Sequence, residues 1–169
     1  MIVLSELIKM SVSPITDTSW AAIQRLQQAA YAPSLHEECE VLTSKWQASP
    51  DTCFQYLDEA GNTLAYLLTH PWNSSNAPKL NDALPAGCTG DQLFIHDLAV
   101  SPEATGQGVA KQLLAAFFAR AAALGYTRFM LVAVQGSVPF WSRYCFLEQA
   151  QPVSESYGDG ARLMRLERS

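Results

Sequence analysis

The sequence predicts an α/β (α+β) fold, and three stretches carry that reading. Residues 93–114, LFIHDLAVSPEATGQGVAKQLL, run from an apolar strand through a Ser-Pro turn and a glycine loop into an amphipathic helix. Residues 129–134 are continuously apolar, as a parallel strand covered on both faces should be. CFQYLDE and TLAYLLTH, two β-rich runs about Ala60-Gly61-Asn62, form an antiparallel hairpin.

Taken in order, residues 7–12 read as a first strand, ended by Pro14. Asp17 or Thr18 then caps a helix carrying Trp20, Ile23, Leu26, Gln27 and Ala30, which Pro33 breaks. A second helix spans 35–46, with Val41, Leu42 and Trp46 as apolar contacts, and Ser49-Pro50-Asp51 turns the chain into the hairpin. Residues 71–91, rich in Asn, Ser, Pro and Gly, form a loop long enough to be functional or mobile. The central helix presents Val109, Leu113, Phe117 and Ala121 at i, i+4 spacing, with Ala110, Leu114 and Phe118 beside them. That stripe is wide enough to pack on a sheet. Gly125 can serve as its C-cap. After the strand at 129–134 come a short helix over 136–144 and an antiparallel pair, 146–153 and 161–167, joined by a turn-rich loop at 154–160. No repeat, low-complexity tract or linker divides the chain, so residues 1–169 form a single domain.

Composition narrows the function. Hydrophobic residues make up 49% and charged ones 16%, which suits a compact core and argues against disorder. A net charge of −5 gives no footprint for nucleic acid. Cys39, Cys53, Cys88 and Cys145 lack a C-x-x-C pattern, and with three histidines they supply no clear ligand set. No metal is expected, and the thiols read as idle or buried ones in a reducing compartment. MIVLSELIKM lacks the basic start, long apolar run and cleavage site of a signal peptide, and no apolar run approaches a membrane span. A cytoplasmic protein without a membrane partner is the expectation.

A strand that enters a helix through a glycine turn leaves unpaired N–H groups at the positive end of the helix dipole, a site for phosphate or another anion. Gly106 and Gly108, without Cβ, let a ligand approach that backbone. A G-x-G-x-x-G loop would need a third glycine where Lys111 stands, and a G-x-x-x-x-G-K-[ST] loop is absent. On the loop alone, an ordinary strand-to-helix turn stays open. The full stretch, however, resembles motif A of the GNAT acyltransferases, [QR]-x-x-G-x-[GA] after a strand ending in L-A-V. The match runs over Thr105, Gly106, Gln107, Gly108, Val109 and Ala110, preceded by Leu98, Ala99 and Val100. Thr105 departs from the usual Arg or Gln, which removes a side chain and leaves the backbone amides. The element order β-α-α-β-β-β-α-β-α-β-β also resembles the GNAT acyl-CoA N-acyltransferase fold over nearly the whole chain. That resemblance implies a mixed sheet with a splayed parallel strand pair at its centre. It implies acetyl-CoA in the gap as co-substrate, with its pyrophosphate on the amides of residues 107–111, Lys111 included. The pantetheine arm would run along Leu98, Ala99 and Val100.

The same resemblance suggests roles for single residues. His96 stands where the arylalkylamine-type N-acetyltransferases, with a similar H-x-L-A-V, place a histidine that relays a proton from the acceptor ammonium. Imidazole titrates near neutral pH, which suits that role; a structural histidine is the alternative. That family's second histidine corresponds to Phe94. Asp97 points to the opposite face of a regular strand and reads as a structural partner unless a bulge re-aims it. His70 and Trp72, at the mouth of the long loop, either line the acceptor pocket or anchor the loop, and His36 reads as a surface helix residue. VPFWSRYCF resembles the family's V-P-F-Y-x-R-F-G-F. The tyrosine that protonates the leaving thiolate there corresponds to Trp141, which leaves Tyr144 one turn on, or water, as an alternative acid. Cys145 replaces a glycine and reads as core packing.

The expected function is therefore acetyl transfer from acetyl-CoA to a small primary amine, by direct attack in a ternary complex. The resemblance also allows a homodimer. A non-catalytic acyl-CoA-binding or sensor domain, or a protein N-terminal or lysine acetyltransferase, are the alternatives. An open groove at 71–91 would mark a peptide acceptor, and a closed, aromatic-lined pocket a small amine.

Overall fold

The computed structural model describes residues 11–169, so residues 7–10 of the expected first strand lie outside the described residues. The elements are β1 (Ser11–Pro14), α1 (Trp20–Ala30), α2 (Cys39–Ala48), β2 (Phe54–Leu57), β3 (Thr63–Trp72), β4 (Gln92–Val100), α3 (Val109–Ala123), β5 (Arg128–Ala133), α4 (Val138–Ser142), β6 (Leu147–Glu148) and β7 (Arg162–Glu167). The described strands form one sheet in the order β1-β2-β3-β4-β5-β7-β6. Neighbours are antiparallel except β4 and β5, which run parallel. This is the mixed sheet with a central parallel pair that the resemblance implies.

Both sheet faces are covered. On one, α3 sets Leu114, Phe117 and Ala121 against Leu93, Ile95, Phe129 and Leu131. On the other, Ile23 and Leu26 of α1 and Leu42 of α2 pack on Tyr66, Leu68 and Ala99. A fully buried Phe117 alone contributes about 1.5–3 kcal/mol of transfer free energy. Among the described residues no helix is long and apolar enough to cross a membrane.

The first helix starts at Trp20 with Ser19 as its N-cap, because Asp17–Ser19 forms a 3₁₀ turn, which corrects the expected cap at Asp17 or Thr18. Three further boundaries differ from the sequence reading, each for a local reason. The second helix begins at Cys39 rather than 35, because Pro33–Leu35 is a 3₁₀ turn and residues 36–38 are extended. Gln27, buried on α1, clamps that extended stretch. Its Oε1 accepts from the Glu37 N–H at 2.8 Å and its Nε2 donates to the Glu37 carbonyl at 3.1 Å. The short helix is trimmed to Val138–Ser142, since Gln135 and Gly136 take positive φ in the turn before it. The penultimate strand keeps only Leu147–Glu148 of the expected 146–153.

Two features of β4 create the site. Its parallel pairing with β5 runs Leu93↔Phe129, Phe94↔Met130 and Ile95↔Leu131 and stops there, although β4 continues to Val100. Its pairing with β3 shifts register, Leu68 facing Asp97 and Thr69 facing Ile95, so that His96 is an extra residue, a β-bulge.

Candidate functional site

Beyond Ile95, β4 and β5 part around a cavity of about 300 Å³. Leu98, Ala99 and Val100 line one wall and Val132, Val134 and Gln135 the other, with Ala110 from α3 and Phe140 and Trp141 from α4. The Leu98 carbonyl accepts a hydrogen bond from the Tyr31 hydroxyl at 2.8 Å instead of from a strand. At the far end stand Leu35, Glu37, Leu80, His96, Asp97 and Tyr157.

The bulge decides what faces this end. Ile95 and Leu98 both belong to the α3 side of the sheet, so the two residues between them, His96 and Asp97, share the opposite side. The regular-strand expectation for Asp97 is thus corrected: an inserted residue turns it toward α1. There it accepts from the Tyr66 hydroxyl at 2.6 Å, and burial pushes its carboxyl above the usual range. Burial and the neighbouring Asp97 also push the Tyr66 and Tyr31 hydroxyls well up, so both are held as donors.

His96 meets Glu37 through Nε2 and Oε1 at 2.5 Å, with both side chains withdrawn from solvent. The second oxygen, Oε2, accepts from the Asn81 N–H of the long loop at 2.9 Å. Lys45, fully buried on α2, donates to the Asp82 carbonyl at 2.8 Å. Burial pushes its ammonium below the ordinary range, while Glu37 and Asp82 oppose that. Residues 73–91 contain no helix or strand, yet they are fixed from several sides. Tyr157 donates to the Pro78 carbonyl at 2.6 Å, and Leu80 N–H reaches Ser156 Oγ at 3.1 Å. Ser44 Oγ holds the Leu84 N–H at 2.9 Å. The loop is a tied wall.

The glycine loop lies at the α3 N-terminus. Gly106 and Gly108 have φ +81° and +76°, and Gly108 is the N-cap. The amides of Val109, Ala110 and Lys111 have no backbone acceptor, as expected of a first helical turn. The side chain of Val109 is buried with Leu113, whereas the loop residues Thr105 and Gln107 are exposed.

Other sequence candidates fall elsewhere. His70 is fully buried against Trp72 and Phe94, its Nδ1 bound to the Pro71 carbonyl at 2.8 Å. Burial pushes it down to about 3. Trp72 donates to the Asn76 carbonyl at 2.7 Å, which ties the loop rather than lining the cavity. Tyr144 and Lys111 line a separate depression with Phe118, Tyr126, Arg143 and Arg168. His36 lies in the extended stretch, not on a helix, with Nε2 2.7 Å from the Tyr31 carbonyl. Cys145 is exposed with φ +69°, which corrects the core-packing reading; it holds a backbone conformation that suits glycine. Among the described residues no three His, Cys, Asp or Glu side chains gather as a metal would require.

Sequence reasoning missed Glu37, Tyr31 and Lys45. The one available signal was weak: Lys45 on a helix face otherwise apolar, whereas Glu37 fell inside the helix expected over 35–46.

The description "Acetyltransferase (GNAT) family" belongs to the family model that matches residues 20–145. No curated protein is significantly similar in sequence. Among solved structures, the chain is similar to Ard1 from Thermoplasma volcanium, with 17% identity, TM-score 0.71, and 94% of this chain and 97% of that one covered. It is similar to the NatC complex bound to Gag peptide and CoA, with 16% identity, TM-score 0.74, and 95% and 99% covered. It is also similar to the ribosomal-protein-S18-alanine N-acetyltransferase from Escherichia coli, with 19% identity, TM-score 0.67, and 94% of each chain covered. At these identities the likeness is one of fold.

Proposed function

The chain belongs to the acetyltransferase (GNAT) family, and we propose that it transfers an acetyl group from acetyl-CoA to a small primary amine by direct attack. One observation carries the reading: a single cavity joins the unpaired stretch of β4 to a buried imidazole at the bulge. The amides at the start of α3 suit a pyrophosphate, and the backbone groups of the Leu98–Val100 stretch that Tyr31 does not engage suit an amide-bearing arm. Both are what acyl-CoA presents.

The acceptor arrives as an ammonium and gives one proton to His96. Its nitrogen then bonds to the thioester carbon, the carbon–sulfur bond breaks, and the second amine proton ends on the thiolate. Strand amides beside the carbonyl oxygen stabilise the charge that develops there. No acidic side chain is needed at the sulfur, because a thiol with pKa of about 8.5 is a fair leaving group.

The small-amine reading draws on the tied loop. Leu80 and Tyr157 close the acceptor end, and their loops are bonded to each other. The peptide bound in NatC and the protein substrate of the Escherichia coli enzyme make a protein N-terminus the competing acceptor. An acetyl-CoA turnover screen over amines, polyamines, amino acids and peptides tests both. Turnover of small amines above peptides supports the reading. Turnover of peptides alone overturns the acceptor, and acetyl-CoA binding without any turnover overturns catalysis. His96→Ala should lower kcat by about 10²–10⁴-fold with acetyl-CoA affinity kept, if His96 is the base.

A further inference from the structure

We propose that Glu37 is a positioning residue for His96, fixing the ring so that Nδ1 rather than Nε2 takes the proton from the acceptor. The proposal rests on the acetyl-transfer reading above, but its ring geometry can be measured without it.

An ionised carboxylate has no hydrogen to give, so in the contact with Glu37 Oε1 the donor is His96 Nε2. A neutral ring that donates from Nε2 carries its lone pair on Nδ1. That atom is buried and has no protein partner, whereas Nε2 is fully engaged. The free basic nitrogen is therefore the one turned away from Glu37.

Glu37 is itself poorly placed to take the proton. Oε1 is held by His96 and Oε2 by the Asn81 N–H, so both oxygens are committed. Burial alone would push its carboxyl up. His96, the Asn81 amide and Lys45 outweigh that and hold it below the usual range, as an anion. The Gln27 clamp fixes the backbone from which this side chain projects.

The other groups around the ring do not compete for this role. Asp97, the next residue on β4, is taken by the Tyr66 hydroxyl. His70 of β3 lies 6.2 Å away between ring centroids, and burial holds it neutral, so it adds no repulsion. Lys45 of α2 acts on the ring only across Glu37. Glu37 is the one anion in contact with the imidazole among the described residues. Once Nδ1 is protonated, the positive ring faces that anion.

Two measurements test the proposal. The first is ¹⁵N NMR of the His96 ring in the wild-type protein and in Glu37→Gln. The expected wild-type signal is that of a neutral ring protonated at Nε2, with the two neutral forms mixed in the variant. A wild-type ring protonated at Nδ1 overturns the proposal, as does an unchanged signal in the variant. The second is the pH profile of kcat/KM on the best amine from the screen. Glu37→Gln should lower kcat by about 10–10²-fold, short of the ~10²–10⁴ of losing the base. The KM for acetyl-CoA should hold. An acid limb of that profile that vanishes in Glu37→Gln but persists in His96→Gln overturns the proposal, because it would make Glu37 the proton acceptor. If no amine is turned over, the acetyl-transfer reading fails and the ring signal alone decides the role of Glu37.

Discussion

Tyr66 and Asp97 meet hydroxyl to carboxylate at 2.6 Å across β3 and β4. The contact exists because Tyr66 shares its sheet face with Leu68, and Leu68 stands directly opposite Asp97 once the bulge has absorbed His96. Without the extra residue, either His96 or Asp97 would lie on the α3 side. The bulge therefore serves two ends. It keeps a buried acid supplied with a donor, and it aims the imidazole at the gap between the strands.

Removing that donor should be costly. Tyr66→Phe leaves a fully buried carboxylate with one hydroxyl fewer and should destabilise the fold by about 1–3 kcal/mol. Urea denaturation at pH 7 reads the loss. A variant as stable as the wild type would mean that another donor, such as Tyr31, takes up the whole load.

The glycine loop gives a binding prediction with a built-in control. Gly108 has φ +76° and open space where a Cβ would sit, so a side chain there strains the backbone without a clash. Gly61, in the β2–β3 turn, has φ +85° and equal space. Both Gly108→Val and Gly61→Val should lower stability by about 1–2 kcal/mol. Only Gly108→Val should also weaken acetyl-CoA binding, by tenfold or more, when the two are compared by titration calorimetry. Equal affinities in the two variants would move the pyrophosphate away from this loop.

Element order was legible because periodicity and glycine placement are local signals, and the central parallel pair came only through the resemblance that this order carries. The 3.6-residue stripe from Val109 to Ala121 can be read without knowing what it packs on. The His96–Glu37 contact was not legible, since it joins residues 59 apart and depends on a loop clamp and a bulge. A bulge adds one residue to a strand without changing its composition, so the strand pattern alone assigns Asp97 to the wrong face. His70 shows the converse limit. Its place beside a loop suggested a pocket, while its flanking Thr69 and Pro71 are as buried as it is.

His70 leads to a stability prediction. Burial depresses its folded-state pKa to about 3, while in the unfolded chain an imidazole titrates near its ordinary value of about 6.5. As pH falls below 6.5 the unfolded state binds a proton that the folded state refuses, so stability drops by up to about 1.4 kcal/mol per pH unit. Between pH 7 and pH 5 this one group should cost about 2 kcal/mol. His70→Phe should shrink the difference between the two pH values by that amount, as measured by denaturant midpoints. The same difference in variant and wild type would mean that His70 is protonated in the folded state.

The leaving group supplies the last prediction. Trp141 lines the cavity and is buried among Phe140, Tyr144 and Phe146. Its indole cannot give up a proton usefully in water. Tyr144 has its ring centroid 6.5 Å from that of Trp141, but it faces the separate depression bounded by Lys111, Arg143 and Arg168. A proton from its hydroxyl would have to pass around a packed indole to reach sulfur in the gap. With the thiolate leaving unprotonated, or taking the second amine proton, Tyr144→Phe should be nearly silent in kcat. Trp141→Phe should keep most of the turnover, its loss following the packing defect, while Trp141→Tyr should match or exceed the wild type. Steady-state kinetics under saturating acetyl-CoA separate these cases. A large fall in kcat for Tyr144→Phe, with acetyl-CoA binding intact, would place the acid on that tyrosine and require α4 to move when the gap is filled.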